Sequence, residues 1–131
     1  MDDAEAKLTG HWVESNVRQP WVGSGYRHDG NAADAKATAR FETRLPHAGR
    51  YEVRLGYSPL DNRASRVAVT IQNQSGEQTI FVNQKLSPPL DKLFVSLGVF
   101  EFGTDTPAAV VVSNQKADGY VIIDAVQWLP R

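Results

Sequence analysis

The 131-residue sequence contains no cysteine, one methionine and three histidines, and its 14 basic residues nearly balance its 15 acidic residues. The absence of cysteine excludes a disulfide framework, thiolate metal sites and cysteine catalysis. The formal net charge of -1 provides no overall field that would attract nucleic acid or an anionic membrane. No apolar run approaches the ~20 residues that span a bilayer. We therefore expect neither a nucleic-acid partner nor a membrane partner.

Common catalytic motifs are also missing. The sequence has no nucleophile elbow, no HExxH pair and no glycine-rich phosphate loop. Paired carboxylates for glycoside hydrolysis are recognised by their separation in space, so the sequence alone does not identify such a pair. The candidates Asp29, Asp61, Asp91 and Asp118 lie in loop segments, where aspartate is common for backbone reasons. We expect a protein that is not an enzyme.

The residues that are present indicate β-strands. In residues 35–45 one face carries Ala35, Ala37, Ala39, Phe41, Thr43 and Leu45, and the other carries charged residues and threonine. This alternation predicts a strand that is buried on one side. The same period recurs in YEVRLGY, RVAVTIQ, EQTIFVN, FVSLGVFEF, AAVVVSN and YVIIDAVQW. Gly, Pro and Asn separate these runs, which predicts an all-β, antiparallel β-sandwich of two packed sheets.

Most aromatic residues lie within the alternating runs, where core packing is the default. Trp12 and Trp128 are expected in the core for the same reason. The other aromatic residues predicted for the core are Phe41, Tyr51, Phe81, Phe100 and Phe102.

The longer connections carry most of the amide and guanidinium groups. Connections in an antiparallel meander alternate between the two ends, so the longer ones are predicted to share one end. The residues expected together there are Asp61, Asn62, Arg63, Asn83, Gln84, Lys85, Asn114, Gln115 and Lys116, with His28, Asp29 and Asn31 from the loop before the third main strand. They could form a polar ligand site on a rigid scaffold, or they could be polar because the loops are solvated.

Asp124 is the exception within an otherwise apolar strand. Ile122, Val126 and Trp128 share its face, while Val121 and Ile123 belong to the other face, which predicts a strand that is buried on both sides. A carboxylate in such a place requires a hydrogen-bond donor, an arginine or a metal ion.

Segments along nearly the whole chain resemble one known family. DDAEAKLTGHW, GYRHDG, LPHAGRYEVRLGY, DNRASRVAVTI, GEQTIFVNQ, VSLGVFEF and GYVIIDAVQWLP follow in the order found in the golvesin/xanthan-lyase carbohydrate-binding-like domain. The resemblance implies a galactose-binding-like jelly roll over residues 1–131, as a single domain of a larger exported bacterial protein. An extracellular or periplasmic location and a covalently linked catalytic domain are implied with it.

The resemblance also suggests ligands. It implies no required cofactor, but similar modules hold a structural Ca²⁺ with acidic residues at positions that Asp2, Asp3 and Asp124 match. The alternative is that Asp124 accepts backbone N–H groups or pairs with an arginine.

A glycan or polysaccharide is the implied ligand. Trp21 lies in an aperiodic loop, where it could stack on a sugar with help from Tyr26, or fold down as a lid on the sandwich. Arg63 could bind the carboxylate of an acidic sugar, or it could clamp its own loop. The implied function is a non-catalytic carbohydrate-binding module that targets its enzyme to polysaccharide. The alternative is a structural or protein-interaction domain that packs on its parent enzyme or on a partner.

Overall fold

The computed structural model describes residues 1–31 and 36–131, and these residues form strands joined by turns and loops. A short 3-10 helix, Asp3–Glu5, begins the chain. The strands are β1 (Lys7–Thr9), β2 (Val13–Ser15), β3 (Tyr26–His28), β4 (Thr38–Thr43), β5 (Gly49–Gly56), β6 (Val67–Asn73), β7 (Gly76–Val82), β8 (Phe94–Phe102), β9 (Ala108–Ser113), β10 (Ile122–Ile123) and β11 (Ala125–Pro130).

The strands form two layers. One layer is a five-stranded sheet in the order β1-β4-β9-β6-β7. The other layer combines two three-stranded sheets, in the orders β10-β3-β2 and β11-β5-β8. The paired strands are antiparallel, from β1 on β4 to β6 on β9. The predicted all-β class and antiparallel sandwich are confirmed.

Alternation along the strands predicted most of the core. Ala39 and Phe41 of β4 are fully buried, as are Val53 and Leu55 of β5, and these side chains belong to one cluster that joins the layers. Ala35, the first residue of the predicted strand, lies outside the described residues. The burial follows from the period of two, which sends every second side chain into the interior.

Phe81 is the clear error in the predicted core, because its side chain is 47% exposed. β7 pairs with β6 in a register that places Ile80 and Val82 opposite the buried Val69 and Val67. Phe81 therefore faces outward with Ala68, its partner in β6. Because residues 80–82 are all apolar, the sequence fits a strand with residue 81 buried as well as one with residues 80 and 82 buried. Only the pairing with β6 decides which side chains face the core.

The last run of the chain is buried on both faces, as predicted. β10 pairs with β3, β11 pairs with β5, and Asp124 lies at the junction where the partner changes. Met1 runs beside the other edge of β11: the Val126 N–H donates to the Met1 carbonyl oxygen at 2.9 Å, and the Met1 amino group donates to the Val126 carbonyl oxygen at 2.7 Å. The amino-terminal residues thus reach Asp124.

Candidate functional site

The longer connections meet at one end of the sandwich, as the alternation of strand directions predicted. The Ala64 N–H donates to the Tyr120 carbonyl oxygen at 2.8 Å, and the Gln84 N–H donates to the Ala64 carbonyl oxygen at 3.0 Å. The Tyr120 N–H donates in turn to the Asn62 carbonyl oxygen at 3.0 Å. We call this end the loop pole and define it as residues 28–31, 58–66, 83–93 and 114–121.

Gly119 permits this close approach of two loops. A Cβ atom at this position would lie 2.7 Å from the Arg63 carbonyl carbon and 2.7 Å from the Asn62 carbonyl oxygen. Both atoms belong to the backbone and cannot rotate away. A residue with a side chain would therefore push the 58–66 and 114–121 segments apart.

The amide side chains of the pole are buried and bind the protein itself. Gln84 is fully buried, accepts the Ile122 N–H at 2.8 Å and donates to the Ile122 carbonyl oxygen at 2.9 Å. Asn114 is also fully buried and donates to the Asp29 carboxylate at 3.1 Å. Asp29 accepts the Val121 N–H at 3.0 Å as well. These groups satisfy backbone that the β10 edge would otherwise leave unpaired.

Arg63 clamps its own loop, which was one of the two predicted alternatives. Its side chain is buried, and its guanidinium donates to the Ser58 carbonyl oxygen at 3.0 Å, to Asn62 Oδ1 at 3.0 Å and to the Tyr26 hydroxyl at 3.3 Å. The guanidinium carbon also lies 5.5 Å from the centre of the Tyr26 ring. With its donors used in this way, Arg63 holds the 58–66 segment against β3.

Several residues expected to contact a ligand therefore lie beneath the surface. Tyr26, Gln84 and Asn114 are buried and hydrogen-bonded within the protein, so their side chains cannot reach a bound sugar. Trp21 is half-buried against the core, which corresponds to the lid rather than to an open platform. Asn83 is half-buried, and its Oδ1 accepts the Lys85 N–H at 3.0 Å and shapes the loop. The reason is that a loop approaching another loop must pair its backbone with side chains.

His28, Tyr120 and Asn62 form one accessible group at the pole. The rings of His28 and Tyr120 are half-buried and meet edge to face, with centres 5.3 Å apart and an interplanar angle of 88°. Asn62 is exposed beside them. Tyr120 was missed as a site residue because its apolar neighbours assigned it to a strand, although Gly119 before it marks a turn.

The surroundings of His28 favour its neutral form and fix one tautomer. Its Nδ1 accepts the Gly30 N–H at 3.0 Å, so the proton resides on Nε2. Burial lowers its pKa, and the charge of Arg63 lowers it further. A neutral imidazole with a fixed N–H donor is suited to hydrogen-bonding a hydroxyl group.

A second feature is the acidic cluster of Asp2, Asp3 and Asp124. One carboxylate oxygen from each residue lies within 4.8 Å of the others. Asp3 and Asp124 are buried, and the Asp3 N–H donates to the Asp124 carbonyl oxygen at 2.6 Å. Asp2 and Asp3 also line a cleft of about 260 Å³ with Glu14 and Arg27, through which an ion could enter.

Hydrogen bonds and a nearby arginine satisfy only some of the carboxylate oxygens in this cluster. Asp124 Oδ2 accepts the Val22 N–H at 2.7 Å, and Arg27 lies 3.6 Å from Asp3 Oδ2. Asp2 Oδ1 and Asp124 Oδ1 are buried without a hydrogen-bond partner among the described residues. Three converging carboxylates with two unpartnered oxygens form a hard-oxygen donor set of the kind that Ca²⁺ prefers. The residues present fit the cation.

The pKa shifts of the clustered carboxyl groups also fit a cation site. Burial raises the pKa of Asp124 to about 7, and the neighbouring Asp3 and Asp2 charges contribute. Burial and the charge of Asp2 raise the pKa of Asp3 to about 7 as well. Without a cation, ionised carboxylates in this place are destabilised by desolvation and mutual repulsion.

Comparison with known proteins assigns the chain to a family. The model of the Golvesin C-terminal domain matches residues 1–129. The chain belongs to this family. Xanthan lyase from Bacillus sp. (strain GL1) is 31% identical in an alignment 131 residues long that covers 98% of this chain and 14% of that protein. The golvesin-family domain thus spans about a seventh of this curated relative. The predicted family is confirmed.

Solved structures share the fold. Paenibacillus xanthan lyase matches with a TM-score of 0.93 and 27% identity, covering 100% of this chain and 13% of the other. A Podospora anserina GH26-CBM35 β-(1,4)-mannanase matches with a TM-score of 0.72 and 17% identity, covering 100% and 27%. The mannan binding module from Man5C matches with a TM-score of 0.61 and 11% identity, covering 98% and 95%. The last two likenesses concern the fold alone, and the jelly-roll prediction is confirmed.

Within the described residues, the golvesin-family domain has no helix with the length and apolar character needed to cross a membrane.

Proposed function

We propose that this domain is a non-catalytic carbohydrate-binding module that forms part of a larger exported enzyme and holds that enzyme near polysaccharide. The family match and the relation to a seventh of a xanthan lyase support a place within a longer protein. The fold shared with a mannan binding module supports a binding role. Fold alone does not carry function, so the proposal rests on the loop pole.

The observation that carries the proposal is the buried polar network beneath the accessible residues of the pole. Buried hydrogen bonds join Gln84 to Ile122, Asn114 to Asp29 and Arg63 to Tyr26, so each of three loops is fixed to a neighbouring segment. This network holds His28 and Tyr120 in fixed positions at the surface. Rings and donors that are already ordered lose little entropy when a ligand binds.

The accessible residues have the chemistry that a sugar requires. The ring edges of His28 and Tyr120 offer apolar contact beside polar groups, and Asn62 supplies an amide. The site is shallow, so each domain would bind weakly because polar contacts replace water at little net gain. Covalent linkage to an enzyme would compensate by raising the effective concentration of polysaccharide.

We also propose that Asp2, Asp3 and Asp124 hold a structural Ca²⁺. The cation would neutralise the three carboxylates and tie the amino-terminal segment to the β10–β11 junction. Val22, whose N–H binds Asp124, joins the 20–25 loop to the same point. The role is structural because the buried oxygens of the cluster face the interior.

A panel of neutral and acidic polysaccharides, including β-mannan and xanthan, tests the glycan proposal. Wild type is compared with His28→Ala/Tyr120→Ala and with His47→Ala, which alters an exposed histidine in the 44–49 turn. We expect the affinity of the double variant for at least one neutral glycan to be at least tenfold lower than that of wild type. The control variant should keep the wild-type affinity. Failure of wild type to bind any polysaccharide would contradict the proposal.

A protein-interaction role is the second candidate, and one groove favours it. Between the edge strands β7 and β8 lies an apolar groove of about 380 Å³, lined by Ile80, Leu86 and Leu97 among others. Leu86 is 62% exposed. The interaction role predicts that Leu86→Glu weakens association with the parent enzyme's catalytic domain, whereas the glycan proposal predicts unchanged polysaccharide binding in that variant.

A further inference from the structure

The outer face of the five-stranded sheet contains a depression that borders the loop pole: its lining includes Arg66 and Lys116 from the edge of the pole, but not His28, Asn62 or Tyr120. Its floor follows from strand register: Ala68 of β6 lies opposite Phe81 of β7 on one side and Ser113 of β9 on the other. Paired residues of neighbouring strands share a face, so the small Ala68 leaves a gap between two larger neighbours. The resulting depression measures about 310 Å³.

An exposed aromatic ring forms one wall of the depression. Phe81 is 47% exposed, and the guanidinium carbon of Arg66 lies 3.7 Å from its ring centre. This stacking orients the guanidinium while its N–H groups stay accessible, since a cation on a ring face uses the π system and leaves its donors free. Arg66 is thereby ordered in advance for an oxyanion.

The charge of the depression has one sign. Its lining residues include the cations Arg66 and Lys116 and no carboxylate. Neither cation forms an ion pair within residues 1–31 and 36–131. Hydroxyl groups complete the lining: Thr70 and Thr79 lie side by side, with their oxygens 2.9 Å apart. Two unpaired cations beside hydroxyls and an aromatic ring suit a ligand with both carboxylates and hydroxyls.

We propose that this sheet face binds a carboxylate-bearing glycan chain. Arg66 and Lys116 would bind carboxylates of sugar units, the exposed part of Phe81 would contact the apolar C–H surface of a ring, and Thr70 and Thr79 would bind hydroxyls. The inference rests on the proposed glycan-binding function and extends it by a second site and a substrate class.

Polygalacturonate and its highly methyl-esterified form test the inference, because they share a backbone and differ in carboxylate charge. Binding to each is measured for wild type, Arg66→Gln/Lys116→Gln and Phe81→Ala. Lys92→Gln is the matched control: Lys92 is exposed, lies outside the depression and has φ 59°, close to the 55° of Lys116. Thermal unfolding of each variant verifies folding.

We expect wild type to bind polygalacturonate at least tenfold more tightly than the esterified polymer, and more weakly as salt rises, because ions screen exposed charges. The Arg66/Lys116 double variant should lose at least tenfold in affinity for polygalacturonate, and Phe81→Ala about threefold to tenfold. Lys92→Gln should bind as wild type does.

The proposal is overturned if the double variant binds polygalacturonate as wild type does, or if the esterified polymer binds equally well. Equal binding of single-stranded DNA would overturn it too, since the face would then recognise charge alone. These results would leave the proposed binding of neutral glycans through His28 and Tyr120 unaffected. Loss of all glycan binding would instead contradict the proposed function itself.

Discussion

The loop pole and the outer sheet face both carry polar side chains, but they place them differently. At the pole, Gln84 and Asn114 are fully buried and bind backbone or Asp29. Beside the outer sheet face, Arg66 immediately before β6 and Lys116 in the turn after β9 belong to the edge of the pole; both are exposed and form no ion pair within the described ranges. Polar side chains enclosed between loops build the scaffold, because loop backbone needs hydrogen-bond partners, whereas side chains that border the sheet face next to paired strands stay exposed.

The largest expected effect tests the structural role of the pole. Gln84→Leu keeps the volume but leaves the Ile122 N–H and carbonyl oxygen buried without partners. We expect the free energy of unfolding to fall by about 2 to 5 kcal/mol, measured by urea denaturation. Lys85→Ala, an exposed neighbour, should change it by less than about 0.5 kcal/mol. Equal effects of the two substitutions would contradict a scaffold role for Gln84.

The second largest effect is expected at the acidic cluster, where the proposed cation would stabilise the fold. At a calcium concentration about 100 times Kd, binding should add about 2.7 kcal/mol to stability, seen as a higher melting temperature. Asp124→Asn should abolish this gain, whereas Asp105→Asn, in an exposed turn, should preserve it. A chelator that leaves the melting temperature of wild type unchanged would argue against the cation.

The same cluster predicts a pH dependence. In the folded, cation-free protein the pKa values of Asp3 and Asp124 are about 7, against 3.8 ordinarily, so the folded state binds more protons than the unfolded state between these values. Stability without calcium should therefore fall as pH rises from about 4 to about 7. The stabilisation by calcium should grow over the same range, because calcium binds the ionised carboxylates. Calorimetry at pH 5 and pH 7.5 measures both trends.

Gly119→Ala tests the close packing of loops at the pole. The added methyl group would meet the backbone of residues 62 and 63, and we expect a loss of about 1 to 3 kcal/mol in the free energy of unfolding. Gly76→Ala is a useful comparison because a Cβ there would meet nothing within 4 Å, although its φ of 114° imposes strain. A Gly119→Ala variant as stable as wild type would show that the loops can separate freely.

The smallest expected effect concerns the sheet face. Phe81→Ala should lower the free energy of unfolding by less than about 1 kcal/mol, since the ring is half-exposed and its stacking with Arg66 is accessible to water. Phe41→Ala, at a fully buried ring, should cost about 3 to 5 kcal/mol. Similar losses for the two variants, measured by denaturation, would mean that the outer face is structural.

The sequence predicted strands and their buried faces correctly where apolar and polar residues alternate without interruption. The strand at Phe41 and the strand at Tyr51 alternate cleanly, so both strands and their buried faces were predictable. Asp124 was recognised as a buried carboxylate because apolar residues surround it on both faces. Phe81 was assigned to the wrong face because its two neighbours are also apolar, and the pairing of β7 with β6 decides among them.

The candidate site was predictable in position but not in exposure. The alternation of connections indicated that the segments around Arg63, Gln84 and Asn114 meet at one end, and hydrogen bonds between the loops place them there. Their burial could not be predicted, because it depends on how closely the loops approach and on which backbone groups then need partners. Tyr120 became a candidate only through its contact with His28.

The sequence by itself determined the β-class, the core strands and the family, because period two and motif order are properties of the chain alone. Only the tertiary structure decided which polar groups reach water and that Asp2, Asp3 and Asp124 converge. The physical reason is that both depend on contacts between residues far apart along the chain, which form when the two layers pack and the ends of the chain meet.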